Sequence, residues 1–226
     1  MKRNKRPIKY KKERVVLSDV LPFEIPITFS NRHFYDFLIK NKIELSGNKI
    51  KWGKNENTLN TIIKLLFDFR DKTVITNEIG INKKWELKTI PFNYKISHKE
   101  NDFRELTIVH PKNQLALIEF YEENKQLLLH YCSLSPFSIR RADKVAKFIF
   151  HKDKTHKDKL SKNQDYETVE EYDKEYESLK TFFVYKNYSN IHKFYESYKF
   201  HRCEKKYNKL FKFDISKCFD SIYSHS

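Results

Sequence analysis

Apolar residues recur along this chain with two different periods, so its fold has to combine helices with strands. Residues 58–70 and 111–132 carry apolar side chains three and four positions apart, which predicts two amphipathic helices. Residues 85–96 and 106–108 alternate apolar with polar side chains, which predicts short strands. We therefore expect an α+β fold that is rich in helix.

Several common site types are excluded by the residues that the chain lacks. Glycine occurs only 3 times in 226 residues, and neither a G-x-G-x-x-G fingerprint nor a Walker P-loop is present. Cys132, Cys203 and Cys218 are widely spaced, so neither a zinc site nor a disulfide framework is expected. The N-terminus has no apolar leader and no apolar run approaches roughly 18 residues. We expect no membrane partner and a reduced cytoplasmic compartment.

The net charge of +15, from 45 basic and 30 acidic residues, has two explanations. Clustered Lys and Arg are typical of proteins that bind nucleic acid, because they release counterions from phosphates. However, only nine of the basic residues are Arg, and Lys, Asn, Ile, Tyr and Phe are all frequent. An AT-rich genome produces the same profile, so charge alone does not decide between the two.

The sixteen residues 211–226, FKFDISKCFDSIYSHS, change from one period to the other. Phe211 and Phe213 alternate with polar residues, which predicts a strand with Asp214 on its polar face. Spacings of three and four follow, so a helix is expected to begin near Lys217. Two-metal enzymes hold Mg²⁺ on such strand-end carboxylates, because Mg²⁺ prefers oxygen ligands. The alternative is an ordinary strand-end or capping aspartate.

This segment resembles the first palm motif of reverse transcriptases, in which an aspartate is followed five residues later by an aromatic residue. Its SIYSHS ending is similar to that of the defence-associated and abortive-infection reverse transcriptases of bacteria. The resemblance implies that Asp214 is catalytic and holds Mg²⁺, with Ile215 beside it at the metal. It implies that Phe219 is the steric gate against a ribose 2′-hydroxyl. The residues implied to lie beside the incoming dNTP are Ser216, Lys217 and Cys218.

Two upstream segments carry a weaker resemblance to the same enzymes. SPFSIRRADKVA is similar to an S-x-R-x-P segment at the start of the fingers, although the expected proline is missing. It implies that Arg140 and Arg141 contact nucleic acid. KFYESYKFHRCEKKY is similar to the fingers segment before the palm, and it implies that Arg202 binds the nucleotide and Lys206 the nucleic acid. Taken singly, each of these side chains is more often an ordinary surface residue.

The resemblance and the local composition together divide the chain into four parts. Residues 1–14 hold eight basic residues and one acidic residue, which predicts a mobile basic arm. Residues 15–110 are expected to form an N-terminal extension with a small antiparallel element. Residues 111–205 would be fingers-like, with an exposed charged segment near 151–175. Residues 206–226 would begin an incomplete right-hand palm.

The implied enzyme is an RNA-directed DNA polymerase, a nucleotidyltransferase that extends a primer on an RNA template in antiphage defence. The sequence contains no Y-x-D-D element with the paired aspartates of that active site. We therefore expect the N-terminal portion of such an enzyme, inactive alone, whose remaining palm and thumb a separate chain could carry. The alternative is a basic non-catalytic module that holds RNA through phosphate contacts and stacking. A third reading is the inert product of a decayed gene.

Overall fold

The computed structural model describes residues 4–70, 73–74, 76–81, 89–152, 174–179, 181–188 and 190–215. These residues form helices and short antiparallel strands, with more residues in helix than in strand. The mixed α and β composition expected from the two periods is confirmed. Among these residues, no helix is both long and apolar enough to cross a bilayer.

The elements are short apart from one long helix. The helices are α1 (Arg32–Asn41), α2 (Asn57–Leu66), α3 (Pro111–Ser133), α4 (Ile191–Tyr195) and α5 (Tyr198–Lys206), with 3₁₀ helices at Lys12–Leu17 and Glu175–Ser178. The strands are β1 (Asn4–Pro7), β2 (Glu44–Ser46), β3 (Lys49–Lys51), β4 (Glu78–Gly80), β5 (Phe92–Lys99), β6 (Asp102–Ile108), β7 (Ala142–Val145), β8 (Ile149–Lys152) and β9 (Phe183–Tyr185). The described sheets are β1–β8, β2–β3–β4, β5–β6 and β7–β9, all antiparallel.

One hydrophobic core joins the first 3₁₀ helix, the first three α-helices and the three-stranded sheet. Sheets of two or three strands bury little surface alone, so helices must cover them. Each of these elements contributes fully buried side chains, among them Val15, Leu38, Ile63, Leu115 and Ile50. Most of the core therefore comes from the N-terminal half of the chain and the first turns of α3, and the C-terminal half adds the buried rings of Tyr176 and Phe182.

The predicted helices and the antiparallel element are present, with shifted ends. α3 begins at Pro111, a residue well suited to the first helical position because its missing N–H is not needed there. α2 ends at Leu66, four residues early, because Asp68 takes a left-handed backbone with φ of 54°. β5 begins after Pro91, whose ring removes a ladder donor.

Residues 4–14 are integrated into the fold, whereas the charge run predicted a mobile arm. β1 pairs antiparallel with β8, and the Arg6 guanidinium lies 4.8 Å over the Phe150 ring. Arg14 is only 5% exposed. Basic side chains do not prevent this pairing, since backbone groups make the ladder and the aliphatic stems of Arg can cover apolar surface. The four-part division of the chain stays a prediction.

The strand predicted before and at Asp214 is not formed by the described residues. Residues 207–215 have no regular secondary structure, and Phe211 and Phe213 are 84% and 82% exposed. Alternation favours an extended backbone, but a strand also requires a neighbour that completes its hydrogen bonds. No described strand pairs with this segment. The helix expected near Lys217 lies outside the described residues, as does most of the charged segment 151–175.

Candidate nucleic-acid interface

Helix α5 presents a basic face immediately before the segment that carries Asp214. Ser197 caps the helix, since its Oγ accepts the Phe200 N–H at 3.3 Å. Lys199, Arg202 and Lys206 stand at positions i, i+3 and i+7, so they share one side of the helix. All three residues are exposed. The spacing of these cations gives a continuous positive surface about two turns long.

An aromatic cluster on the opposite side of α5 fixes this orientation. The Phe200 ring packs edge-on against Phe194 and Tyr195, with centroids 5.3 and 5.0 Å away. Tyr188 extends the cluster, with its ring 5.5 Å from Phe194 and its hydroxyl 3.3 Å from Ser197 Oγ. Such edge-to-face contacts add to the burial of the rings. Because Phe200 holds one side of α5 against α4, the basic side turns to solvent.

Few acidic groups neutralise this surface. Between Tyr198 and Ile215 the sequence places six Lys or Arg residues against Glu204 and Asp214. Glu204 pairs with His201 at 3.1 Å. Arg202 makes no hydrogen bond or ion pair with any residue that the structure describes. Its guanidinium can therefore offer the planar donor pair that phosphate oxygens accept best.

Exposed aromatic rings alternate with these cations. Tyr198, Tyr207, Phe211 and Phe213 are each more than half exposed. Lys206 Nζ lies 5.1 Å from the centre of the Tyr207 ring, so one cation already covers one of these aromatic faces. A group of exposed aromatic residues indicates an interaction surface, whereas single exposed apolar residues are common on any protein. Rings interleaved with cations suit single-stranded nucleic acid, whose bases stack while its phosphates pair.

Asp214 is exposed at the end of this surface and supplies a single carboxylate. Its Oδ1 accepts the Ile215 N–H at 2.9 Å. A hard carboxylate oxygen suits Mg²⁺, but Mg²⁺ held by protein requires further ligands or substrate phosphates. Within the described ranges no three His, Cys, Asp or Glu side chains converge as a metal site would require. Four other predicted site residues lie outside the described residues: Ser216, Lys217, Cys218 and Phe219.

The two predicted arginines upstream have different surroundings. The Arg140 guanidinium lies 4.2 Å over the Tyr185 ring and is exposed on its other side. Arg141 Nη1 donates to the carbonyls of Ser133 and Ser135, at the C-terminal end of α3. A cation there satisfies carbonyls that the helix leaves unpaired. Arg140 therefore keeps a surface for a ligand, whereas Arg141 is occupied by the fold.

The predicted residues form two groups with no direct contact between them. Arg202 and Lys206 share the basic face of α5, which leads to Asp214. Among the described residues, no hydrogen bond, ion pair or ring contact joins Arg140 or Arg141 to that group. Sequence reasoning also missed Lys199 and Tyr198 on α5. The i, i+3, i+7 spacing of the basic residues is the signal that identifies Lys199.

No family model matches this chain, and searches of curated proteins and of solved structures also return no match.

Proposed function

We propose that this chain provides the basic fingers surface and the first metal-binding aspartate of an RNA-directed DNA polymerase that acts in antiphage defence. One observation carries the proposal. The exposed carboxylate of Asp214, within the motif FDISKCFDSIYSHS, directly follows an exposed surface of cations and aromatic rings. A polymerase needs this combination, because it must hold a nucleic-acid strand beside the carboxylate that binds metal.

Each residue has a definite role in this proposal. Asp214 would hold Mg²⁺ with Ile215 beside it, and bound Mg²⁺ would neutralise the charge that develops on the transferred phosphoryl group. Arg202 would bind the triphosphate of the dNTP, and Lys206 would bind the strand. Phe219 would reject a ribose 2′-hydroxyl by its bulk. The residues that would border the triphosphate are Ser216, Lys217 and Cys218.

The proposed activity requires carboxylates in addition to Asp214. The two-metal arrangement needs more than one bridging acid, and the 226 residues contain no Y-x-D-D element. The partners that the proposal requires are therefore an RNA template, a primer, a dNTP and a polypeptide that carries the paired aspartates.

The test is Mg²⁺-dependent dNTP incorporation on a primed RNA template. We expect no incorporation by this chain alone, and incorporation when it is co-expressed with a polypeptide that carries Y-x-D-D. Asp214→Ala should then reduce the rate by about 10²- to 10³-fold. The matched control is Asp102→Ala, which removes an exposed carboxylate on β6. Incorporation by the chain alone, or full activity of the complemented Asp214→Ala variant, would refute the proposal.

A second function, a non-catalytic RNA-binding module, is favoured by the basic face of α5, which needs no metal to bind phosphate. Three results together would establish this second function instead. RNA binding would weaken with salt, Asp214→Ala would leave it unchanged, and no co-expressed polypeptide would produce dNTP incorporation.

A further inference from the structure

A groove of about 980 Å³ lies between the loop that follows the first 3₁₀ helix, strand β9, the segment between β7 and β8, and the start of α4, and no residue of α5 lines it. Sites for organic ligands occupy about 300–1,000 Å³, so this groove is at the large end of that range. Its lining residues come from segments that are distant in the sequence, including Phe23, Lys147 and Lys193. Only the folded chain brings these residues together.

Aromatic rings form the walls of the groove. Tyr121 and Phe183 stack with their centroids 5.9 Å apart and their planes 28° apart. Tyr185 carries the Arg140 guanidinium on its face, which leaves the outer plane of Arg140 exposed at the groove. Phe23 also lines the groove and is 97% exposed, so it contributes almost nothing to the core. A fully exposed Phe beside a groove can stack on a planar ligand.

The groove is positively charged. Its lining includes the cations Arg140, Lys147 and Lys193, and Asp19 is its single acidic residue among those described. The Asp19 carboxylate is already hydrogen-bonded, since Oδ2 accepts the Phe182 N–H and the Ser18 hydroxyl, each at 2.9 Å. Burial also raises the pKa of Asp19, which disfavours its charged form. A polyanion at the groove therefore meets three cationic side chains against the one carboxylate of Asp19.

We propose that this groove binds a single-stranded nucleic acid. Phe23 and the exposed plane of Arg140 stack on bases, while Lys147 and Lys193 contact phosphates. An acidic peptide would also satisfy the cations, but it would leave Phe23 and the Arg140 plane unused. The inference rests on the proposed function, since it requires that the chain binds nucleic acid. It adds a second strand-binding site to the one on α5.

The test measures fluorescence anisotropy with a labelled oligo-A RNA of about 12 nucleotides, a length within the usual site sizes. An abasic strand of equal length serves as the second probe, because it has the phosphates without the bases. We expect Phe23→Ala to weaken binding of oligo-A about tenfold and to leave the abasic strand unaffected. The control is Phe103→Ala on β6, since Phe103 is 65% exposed and lies outside the groove.

The lysines are tested with the same two probes. Lys147→Gln and Lys193→Gln should each weaken the binding of both strands. Each should also lower the slope of log affinity against log salt by the amount that one phosphate contact contributes. Phe23 makes almost no contact with the core, so Phe23→Ala should keep the wild-type melting temperature. A change in its affinity can then be attributed to the lost ring and not to unfolding. Wild-type affinity of Phe23→Ala for oligo-A, or equal loss of both probes in that variant, would overturn the proposal.

Further variants separate failure of the groove from failure of the proposed function. If groove variants bind normally while Lys206→Gln loses affinity, the groove proposal falls and the strand contact assigned to α5 in the proposed function stands. If groove variants lose affinity while the complemented Asp214→Ala enzyme stays fully active, the proposed function falls and the groove proposal stands. Displacement of the RNA by poly-glutamate as effectively as by unlabelled oligo-A would show a site for acidic peptide and overturn the groove proposal.

Discussion

Arg14 is a buried cation that joins distant parts of the chain. Its guanidinium donates to the carbonyls of Ala146 and Phe182 at 2.7 and 3.0 Å. It also lies 5.1 Å from the centre of the Tyr10 ring and 5.6 Å from that of Phe148. Because burial disfavours the charge, its pKa is lowered, and these contacts must compensate for the lost hydration.

Arg14→Ala is expected to lower the free energy of unfolding by about 3 kcal/mol, because two buried carbonyls lose their donor and a cavity opens. The matched control is Arg104→Ala, which removes an exposed ion pair with Glu24 and should change stability by less than about 1 kcal/mol. Urea denaturation followed by circular dichroism measures both. Equal stability of the two variants would mean that the Arg14 contacts do not hold the fold.

His110 caps α3 in its neutral form, which makes the stability of the chain depend on pH. Its Nδ1 accepts the Lys112 N–H at 3.2 Å, and a protonated ring cannot accept this bond. Burial lowers the pKa of His110 below its usual 6.5. The unfolded chain therefore binds more protons in this window, so the His110 contribution is complete above pH 6.5 and is lost as the pH falls through the folded-state pKa.

The test replaces His110 with Ser, which keeps a capping acceptor but does not titrate. We expect the wild type to lose more thermal stability than His110→Ser between about pH 7.5 and about pH 5.5. Comparing the two proteins removes the contribution of the other histidines. An equal loss of thermal stability in the two proteins would show that titration of His110 does not contribute to the pH dependence.

At the scale of elements, a pair of buried amides fixes how α1 and α3 meet. Asn31 Nδ2 donates to Gln114 Oε1 at 2.7 Å and to the Val16 carbonyl at 2.8 Å. Gln114 Nε2 in turn donates to the Val109 carbonyl at 2.7 Å. Asn31 and Gln114 are 5% and 1% exposed. Satisfied amides of this kind select one arrangement of helices, because any shift leaves them unpaired.

Asn31→Ala and Gln114→Ala should each destabilise the chain by about 2 kcal/mol, because each leaves buried partners unsatisfied. The double variant should lose less than the sum of the two, with a coupling energy of at least about 0.5 kcal/mol. A double-mutant cycle from urea denaturation measures it. Strict additivity would show that the two amides act independently, and Glu123→Ala at an exposed position of α3 serves as the control.

The elements that the sequence predicts are those whose side-chain period records a buried face. α2 and α3 follow this rule, because residues such as Leu59 and Leu115 must face the core. β1 could not be predicted in this way, since its basic residues show no such period and its partner β8 lies more than 140 positions away. Pairing between remote backbones leaves no local signal.

In the candidate site, too, some features can be predicted from local sequence spacing and others depend on the tertiary structure. The shared face of Arg202 and Lys206 follows from helical spacing, so sequence alone could predict it. The capping role of Arg141 could not be predicted, because it depends on where the end of α3 lies in the fold. The groove that includes Phe23 and Lys193 also requires tertiary structure, since these residues are distant in the chain.

At the scale of the whole molecule, the net charge of +15 fits both a nucleic-acid partner and the codon usage of an AT-rich genome. The two explanations differ in where the charge acts. Codon usage spreads lysine over the surface, so every exposed lysine contributes equally and weakly to RNA affinity. A binding surface concentrates phosphate contacts, so a few residues determine how strongly salt weakens the complex.

Two variants with equal net charge separate these explanations. One replaces Lys199, Arg202 and Lys206 with Gln on α5, and the other replaces the exposed Lys9, Lys51 and Lys95 elsewhere. If α5 binds single strands, the first variant should lower the slope of log affinity against log salt by about 2, since each phosphate contact contributes about 0.7. The dispersed variant should keep the wild-type slope. Equal slopes in both would assign the charge to composition and would leave α5 without a role in binding RNA.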